Sequence, residues 1–186
     1  MTWACAVLAF GFASTAAANV HEKFSESQYD VHGDEESSLL NLLNNATPIV
    51  FKGKKYHAFT SWNVRWNFRR SRAPDGRCRI TSVAVHLTST MQLPRLIGGS
   101  LRQRQQFYPY LAALRTHEFG HYQFGKDAAD AIDRGIYNLP SVSSCRVLAE
   151  DANTLGYRVL ADYRVRERRY DESTGYGKTQ GASLQP

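Results

Sequence analysis

Apolar and polar residues alternate in the middle of the chain, between residues 62 and 88. A period of two is typical of a strand with one buried face, and the apolar members of the first run are Trp62, Val64, Trp66 and Phe68. The next segment, Ala73-Pro74-Asp75-Gly76, has the chemistry of a turn. Residues 79–88 alternate again, so the pattern predicts an antiparallel hairpin.

Further along the chain, the apolar period changes from two to 3.6. We predict a long helix that begins near Pro109, because proline is tolerated in a first turn, and ends at Asn138-Leu139-Pro140. A second long helix is predicted from about Ser143. One face of the first helix would carry Phe107, Leu111, Leu114, His117, His121, Phe124, Ala128 and Ala131, and the buried stripe of the second would be Leu148, Ala152, Leu155, Val159 and Tyr163.

The segments around these elements have weaker patterns. Residues 25–33 are polar and predicted to be extended, and a short leucine-rich helix follows the acidic residues 34–36 and stops at Thr47-Pro48. Gln92-Leu93-Pro94 is expected to close the strand region, and Gly98-Gly99-Ser100 to form a flexible connection. The predicted fold is α+β, a small antiparallel sheet packed on two long helices, in a single domain over residues 19–186.

Composition changes this picture mainly at the N-terminus. The 186 residues are 42% hydrophobic, which fits one domain, and the apolar run 4–18 is shorter than a membrane-spanning helix. Ala16-Ala17-Ala18 is typical of a signal-peptidase site, so we predict a signal peptide over residues 1–18. An N-terminal core helix is the alternative. The mature chain would then be secreted or periplasmic, and not an integral membrane protein.

Cysteine usage agrees with export. If Cys5 leaves with the signal peptide, the mature chain keeps one pair, Cys78 and Cys145, and we predict that they form a disulfide. The alternative is a pair of free buried thiols in a cytosolic protein.

The charge of the chain is positive, with a formal net charge of +6 and arginine clusters at residues 65–72 and 164–169. A basic exported protein is attracted to anionic envelope surfaces. No zinc-finger spacing or aromatic RNA-binding signature accompanies the arginines, so we expect no nucleic-acid partner.

Residues 117–121 read His-Glu-Phe-Gly-His, and they fall inside the first long helix. Two histidines four residues apart project from the same helix face and can bind one Zn²⁺ ion, while the glutamate accepts a proton from a zinc-activated water. His117 and His121 are therefore predicted metal ligands, and Glu118 is the predicted general base. The alternative is a pair of ordinary interior histidines.

The spacing leaves the third ligand open. Asp127 follows His117 by ten residues, as in metzincins, but Phe124 stands where those enzymes have a helix-breaking glycine. Glu150 on the second helix would match the thermolysin-like plan, and Tyr176 is a further possibility.

Several motifs in this order resemble a bacterial family, domain of unknown function 922, whose members have been described as secreted zinc-dependent proteases. The motifs are Thr60-Ser61-Trp62, Trp66, Cys78, Leu93-Pro94, His117 to His121, Cys145, Asn153, Tyr170-Asp171, Thr174 and Gln180-Gly181-Ala182. The resemblance implies a zincin-like exported hydrolase. It also implies a histidine where this chain has Tyr176, and a phenol binds zinc less readily at neutral pH because its pKa is about 10.

The sequence therefore predicts an exported zinc metallopeptidase whose peptide or protein substrate lies extended along a sheet edge. A hydrolase of wall peptides or another amide would share the site. The alternative is a catalytically weak or inactive zincin-like protein that binds an envelope partner. Tyr176, in place of the histidine, is the reason for considering it.

Overall fold

The computed structural model describes residues 20–184, and the signal peptide predicted over residues 1–18 lies outside this part of the chain. The fold is α+β, as predicted. In chain order the elements are β1 Val20–Gly33, α1 Leu39–Ala46, β2 Val50–Phe51, β3 Lys54–Lys55, β4 Phe59–Arg72, β5 Cys78–Gly98, α2 Leu101–Tyr137, α3 Cys145–Thr174 and a 3-10 turn Lys178–Gln180.

The main sheet of the described residues has three strands in the order β1-β5-β4. β4 and β5 form the predicted antiparallel hairpin, but β1 pairs with β5 in parallel, from Val20 opposite Val85 to Gly33 opposite Gly98. The sheet is thus mixed, and the prediction of a purely antiparallel sheet is wrong. Because residues 21–28 are exposed, β1 has no apolar alternation there that would have revealed its place in the sheet.

β5 does not end at Gln92-Leu93-Pro94 but continues to Gly98. β4 pairs with β5 only as far as Gln92, so the last part of β5 has a neighbour on one side alone. A proline is tolerated in a strand where one ladder is missing, and this explains why Pro94 does not stop the strand.

α2 begins eight residues before the predicted start, so that Pro109 lies inside the helix. Ser100 is the N-cap, and it exchanges hydrogen bonds with Gln103 in a capping box that satisfies two helix-end N–H groups. Gly98 and Gly99, expected to be a flexible connection, have positive φ angles of 68° and 88° and turn the chain from β5 into this cap.

α3 begins at Cys145, close to the predicted start, and ends at Gly175, which has left-handed φ and ψ. Its first residue forms a disulfide with Cys78, the first residue of β5. This predicted disulfide is confirmed, and it joins positions 67 residues apart.

The buried apolar residues that are described form two clusters. The larger lies between the sheet, α2 and α3, and includes Trp62, Val85, Ile132 and Leu148. The other lies where α1 and the first half of α2 meet β1 and β5. Across residues 20–184, we find no helix with both the length and the apolar character needed to cross a membrane.

Candidate metal centre

α2 places His117 and His121 one turn apart on the side that faces α3. Both are buried, with 4% and 8% exposure, and their Nε2 atoms are 3.2 Å apart. Two ring nitrogens at this distance repel each other unless a proton or a cation lies between them. The pair is therefore suited to bind a positively charged species.

The last turn of α3 adds a carboxylate to the pair. Asp171 Oδ1 lies 3.2 Å from His117 Nε2 and 3.0 Å from His121 Nε2. Ligands of a tetrahedral zinc ion, each at 2.0–2.1 Å from the metal, are about 3.4 Å from one another. His117, His121 and Asp171 form the one group among residues 20–184 whose ligand atoms converge in this way, and the measured triangle fits a small divalent cation after a shift of a few tenths of an ångström.

The remaining nitrogen of each histidine faces an oxygen on its outer side. Nδ1 of His117 lies 2.9 Å from Gln180 Oε1, and Nδ1 of His121 lies 3.2 Å from Glu167 Oε1. An oxygen acceptor at Nδ1 favours hydrogen on that nitrogen and so leaves the lone pair of a neutral ring on Nε2, whereas Asp171 Oδ1 competes for the hydrogen from the Nε2 side of both rings. Both rings consequently present Nε2 toward Asp171.

In the metal-free protein, the pKa of His121 is raised and the pKa of Asp171 is lowered. Burial would lower the pKa of His121, but hydrogen bonds to Asp171 and Glu167 outweigh it and raise the pKa to about 9. Burial acts in the opposite direction on Asp171, yet its bonds to both histidines hold its pKa at about 2. Without a metal, the cluster therefore keeps a proton on His121 at neutral pH.

Glu118, the residue after His117, is a buried carboxylate next to this cluster. It is 5% exposed, and burial raises its pKa above the ordinary value, although His121, Thr60 and His117 favour its charged form. Neither Glu118 Oε2 nor Thr60 Oγ1 reaches hydrogen-bond geometry with any described residue. A buried carboxylate oxygen without a partner is costly, and such an atom in a native protein calls for a functional explanation.

Tyr170 fixes the His117 ring from one side. The two rings are stacked, with centroids 4.9 Å apart, and the Tyr170 hydroxyl donates to the His117 carbonyl oxygen at 3.2 Å. Tyr170 can approach this closely because residue 120 of α2 is glycine, where a Cβ atom would collide with the phenol ring.

The structure brings together only part of the predicted site. Glu150 lies on the exposed surface of α3, where Arg146 donates to it at 2.5 Å, and Asp127 accepts a hydrogen bond from Gln123. Tyr176 is 52% exposed and its ring lies 5.9 Å from that of Tyr56. Glu150 and Asp127 are outside the converging group of His117, His121 and Asp171.

Asp171 is the candidate ligand that our reasoning from the sequence did not assign. It lies 50 residues after His121 and on a different helix, so no local spacing connects the two. A usable signal was present, because Tyr163, Glu167, Tyr170 and Thr174 continue the spacing of the buried stripe of α3. The third ligand could therefore have been sought among the carboxylates beside this buried stripe, at the end of α3 that faces the histidines.

Fold and site together define an α+β protein in which two histidines of one helix and an aspartate of the next could hold one divalent cation. The chain belongs to the DUF922 family, described as a bacterial protein of unknown function, whose model matches residues 26–178. The matched region contains all three candidate ligands and Glu118. A search of the curated proteins and a search of the solved structures each gave no significant match.

Proposed function

We propose that this protein is a zinc-dependent, zincin-like peptidase with His117, His121 and Asp171 as metal ligands and Glu118 as general base. The proposal is carried by one observation: three ligand atoms separated by 3.0–3.2 Å lie beside a buried carboxylate that has no partner for one oxygen. Nitrogen and carboxylate donors in this number match those of catalytic zinc sites.

A zinc ion held there would supply Lewis acidity, which makes water acidic near neutral pH and polarises a carbonyl group. Glu118 would take the proton from the attacking water and deliver it to the leaving amine. Its raised pKa supports this role, because a general base that must also release its proton works best with a pKa near the working pH.

The free edge of β4 supports an extended peptide as substrate. β4 is an edge strand of the sheet, and Arg164 donates to its Trp62 carbonyl at 2.7 Å. Along a strand, backbone N–H and C=O groups turn alternately to the two sides, so every second residue of β4 offers them to the free edge. No described strand pairs with this side of β4, and the Thr60 side chain is beside Glu118. A peptide added at Thr60 would thus run past the general base.

We also propose that the protein acts outside the cytoplasm. The Cys78–Cys145 disulfide supports this location, since such bonds persist in oxidising compartments.

Metal stoichiometry tests the proposal most directly. We expect one zinc per chain by elemental analysis, and loss of zinc in Asp171→Ala and in His117→Ala. Tyr176→Phe and Glu150→Gln are the matched controls and should keep full stoichiometry. Zinc retained by Asp171→Ala but lost from either control would show that the third ligand has been wrongly assigned.

Glu118→Gln separates binding from turnover. The variant should keep its zinc but cleave a fluorescent casein at least about 100-fold more slowly, because it loses the proton acceptor alone. Hydrolysis at the native rate would refute the role of Glu118. If the native chain holds zinc but cleaves none of a broad panel of peptides and other amides, the alternative of an inactive envelope-binding protein is favoured.

A further inference from the structure

Glu167 connects the His121 ring to the sheet. Its Oε1 lies 3.2 Å from His121 Nδ1 and also accepts a hydrogen bond from Trp62 Nε1 at 2.9 Å. Oε2 accepts from Arg164 Nη1 at 2.9 Å. Both carboxylate oxygens therefore have partners, and the side chain is 14% exposed.

Its position makes Glu167 a neighbour of the metal ligands rather than one of them. It contacts the Nδ1 side of His121, whereas Asp171 lies on the Nε2 side of the same ring. The group of converging ligand atoms found among residues 20–184 does not include Glu167.

Trp62 and Arg164 fix the place of Glu167. The Arg164 guanidinium lies 3.6 Å from the centre of the Trp62 ring, and it donates both to the Trp62 carbonyl and to Glu167. The glutamate is thus held by one residue of β4 and one of its own helix. Glu167 therefore fixes the His121 ring relative to the sheet.

We infer that Glu167 is a positioning residue that holds His121 in the tautomer with hydrogen on Nδ1, so that Nε2 is free to bind metal. A charged acceptor also makes the ring a stronger donor to the metal. The effect on metal affinity rests on the proposed function, whereas the effect on the tautomer does not. The other histidine differs, because His117 faces the neutral amide of Gln180.

The test compares the native chain with Glu167→Gln, which keeps the shape of the side chain and removes its charge. The probe is Zn²⁺ alone, in competition with a chromogenic chelator. We expect zinc affinity to fall by about 10- to 100-fold. Glu172→Gln, an exposed position of the same helix, is the matched control and should leave affinity unchanged. Trp62→Phe removes the hydrogen bond that Trp62 Nε1 donates to Glu167 Oε1, and it should cause a smaller loss of zinc affinity.

A structural role alone would not change the tautomer of His121, so long-range ¹H–¹⁵N spectra of the metal-free protein give a second measurement. At high pH, Asp171 and Glu167 compete for the hydrogen of the neutral His121 ring from its two sides, and Glu167→Gln should shift the population from hydrogen on Nδ1 toward hydrogen on Nε2. Native affinity or an unchanged tautomer in a folded Glu167→Gln variant would overturn the inference. If the native chain binds no zinc, the proposed function fails, and the tautomer measurement still decides the role of Glu167.

Discussion

At the proposed metal site, a proton and a metal ion would compete for the same atom, His121 Nε2. Asp171 and Glu167 stabilise positive charge at this ring, whether it is a proton or a metal ion, because both carboxylates contact the ring. The metal-free protein satisfies this preference by protonating His121, whose pKa is about 9. Metal binding at neutral pH therefore has to displace a proton, and zinc affinity should increase as the pH rises.

The stability of the metal-free protein should depend on pH through His121. Its pKa is raised from about 6.5 in the unfolded chain to about 9, so its contribution is complete below pH 6.5 and is lost as the pH rises through 9. We expect a lower Tm at about pH 9.5 than at about pH 6 in the presence of a chelator. His121→Asn should remove most of this difference, and an equal pH dependence in that variant would exclude His121 as the cause.

At the scale of residues, spacing in the sequence could identify the part of the site that lies on α2. His117, Glu118 and His121 are recognisable because a helix brings residues i and i+4 to one face. Asp171 and Glu167 reach the His121 ring only after α2 and α3 pack, and the buried stripe of α3 indicates that it packs without identifying its partner residues. Tyr176 was singled out as a departure from a family motif, and its side chain is 52% exposed.

At the scale of elements, α2 and α3 approach closely where glycines replace larger side chains. A Cβ atom on Gly120 would collide with Tyr170, and one on Gly135 would lie 2.8 Å from Leu155 Cδ2. The two positions differ in whether the side chain that the new Cβ atom would contact can move away. Leu155 presents the end of a flexible side chain, whereas Tyr170 is fixed by its stacking on His117 and by its hydroxyl.

Gly120→Ala should therefore destabilise the protein and disturb the site. We expect a loss of about 1–3 kcal/mol in the free energy of unfolding, the usual cost of overpacking, measured by urea denaturation. Gly135→Ala is the control, since its gain in helix propensity of about 1 kcal/mol offsets a small adjustment of Leu155. Equal stability of the two variants would contradict the rigid role given to Tyr170.

Elements with a clear period were predicted together with their partners, whereas the extended segment 25–33 and the short helix before Thr47 were predicted without a place in the fold. The β4–β5 hairpin and α3 follow from alternation and from a 3.6-residue stripe. The start of α2 was missed because Pro109 looked like a first-turn residue, while the capping box at Ser100 outweighs that signal. Residues 25–33 were correctly predicted to be extended, but the parallel pairing of β1 with β5 was missed. Residues 21–28 are exposed, and a strand without a buried face does not specify its register.

At the scale of the whole molecule, the disulfide joins the start of β5 to the start of α3. Cys78→Ser with Cys145→Ser should lower the free energy of unfolding by about 4 kcal/mol on the chain-entropy model. Urea titrations of the oxidised and the double-serine proteins measure the difference. Coincident unfolding curves would show that contacts within the larger cluster, rather than the covalent link, hold α3 on the sheet.

With metal in the proposed site, the two ends of α3 would be held by different chemistry. Cys145 is its first residue, and Asp171, in its last turn, lies about 39 Å away along the helix axis. Because sites this far apart act independently, amide hydrogen exchange should report two separate local unfolding events. Metal should slow exchange near residue 171, and the disulfide should slow it near residue 145. The same slowing along the entire helix would contradict this independence.

A helix anchored in this way can release one end while the other stays in place. If the proposed site binds metal, loss of the metal would leave the end that carries Glu167, Tyr170 and Asp171 in contact with the protonated His121, and the covalent link would keep the other end on the sheet. The oxidised protein would then be emptied and reloaded with metal repeatedly, and each cycle would involve only local opening at one end of a helix that stays folded.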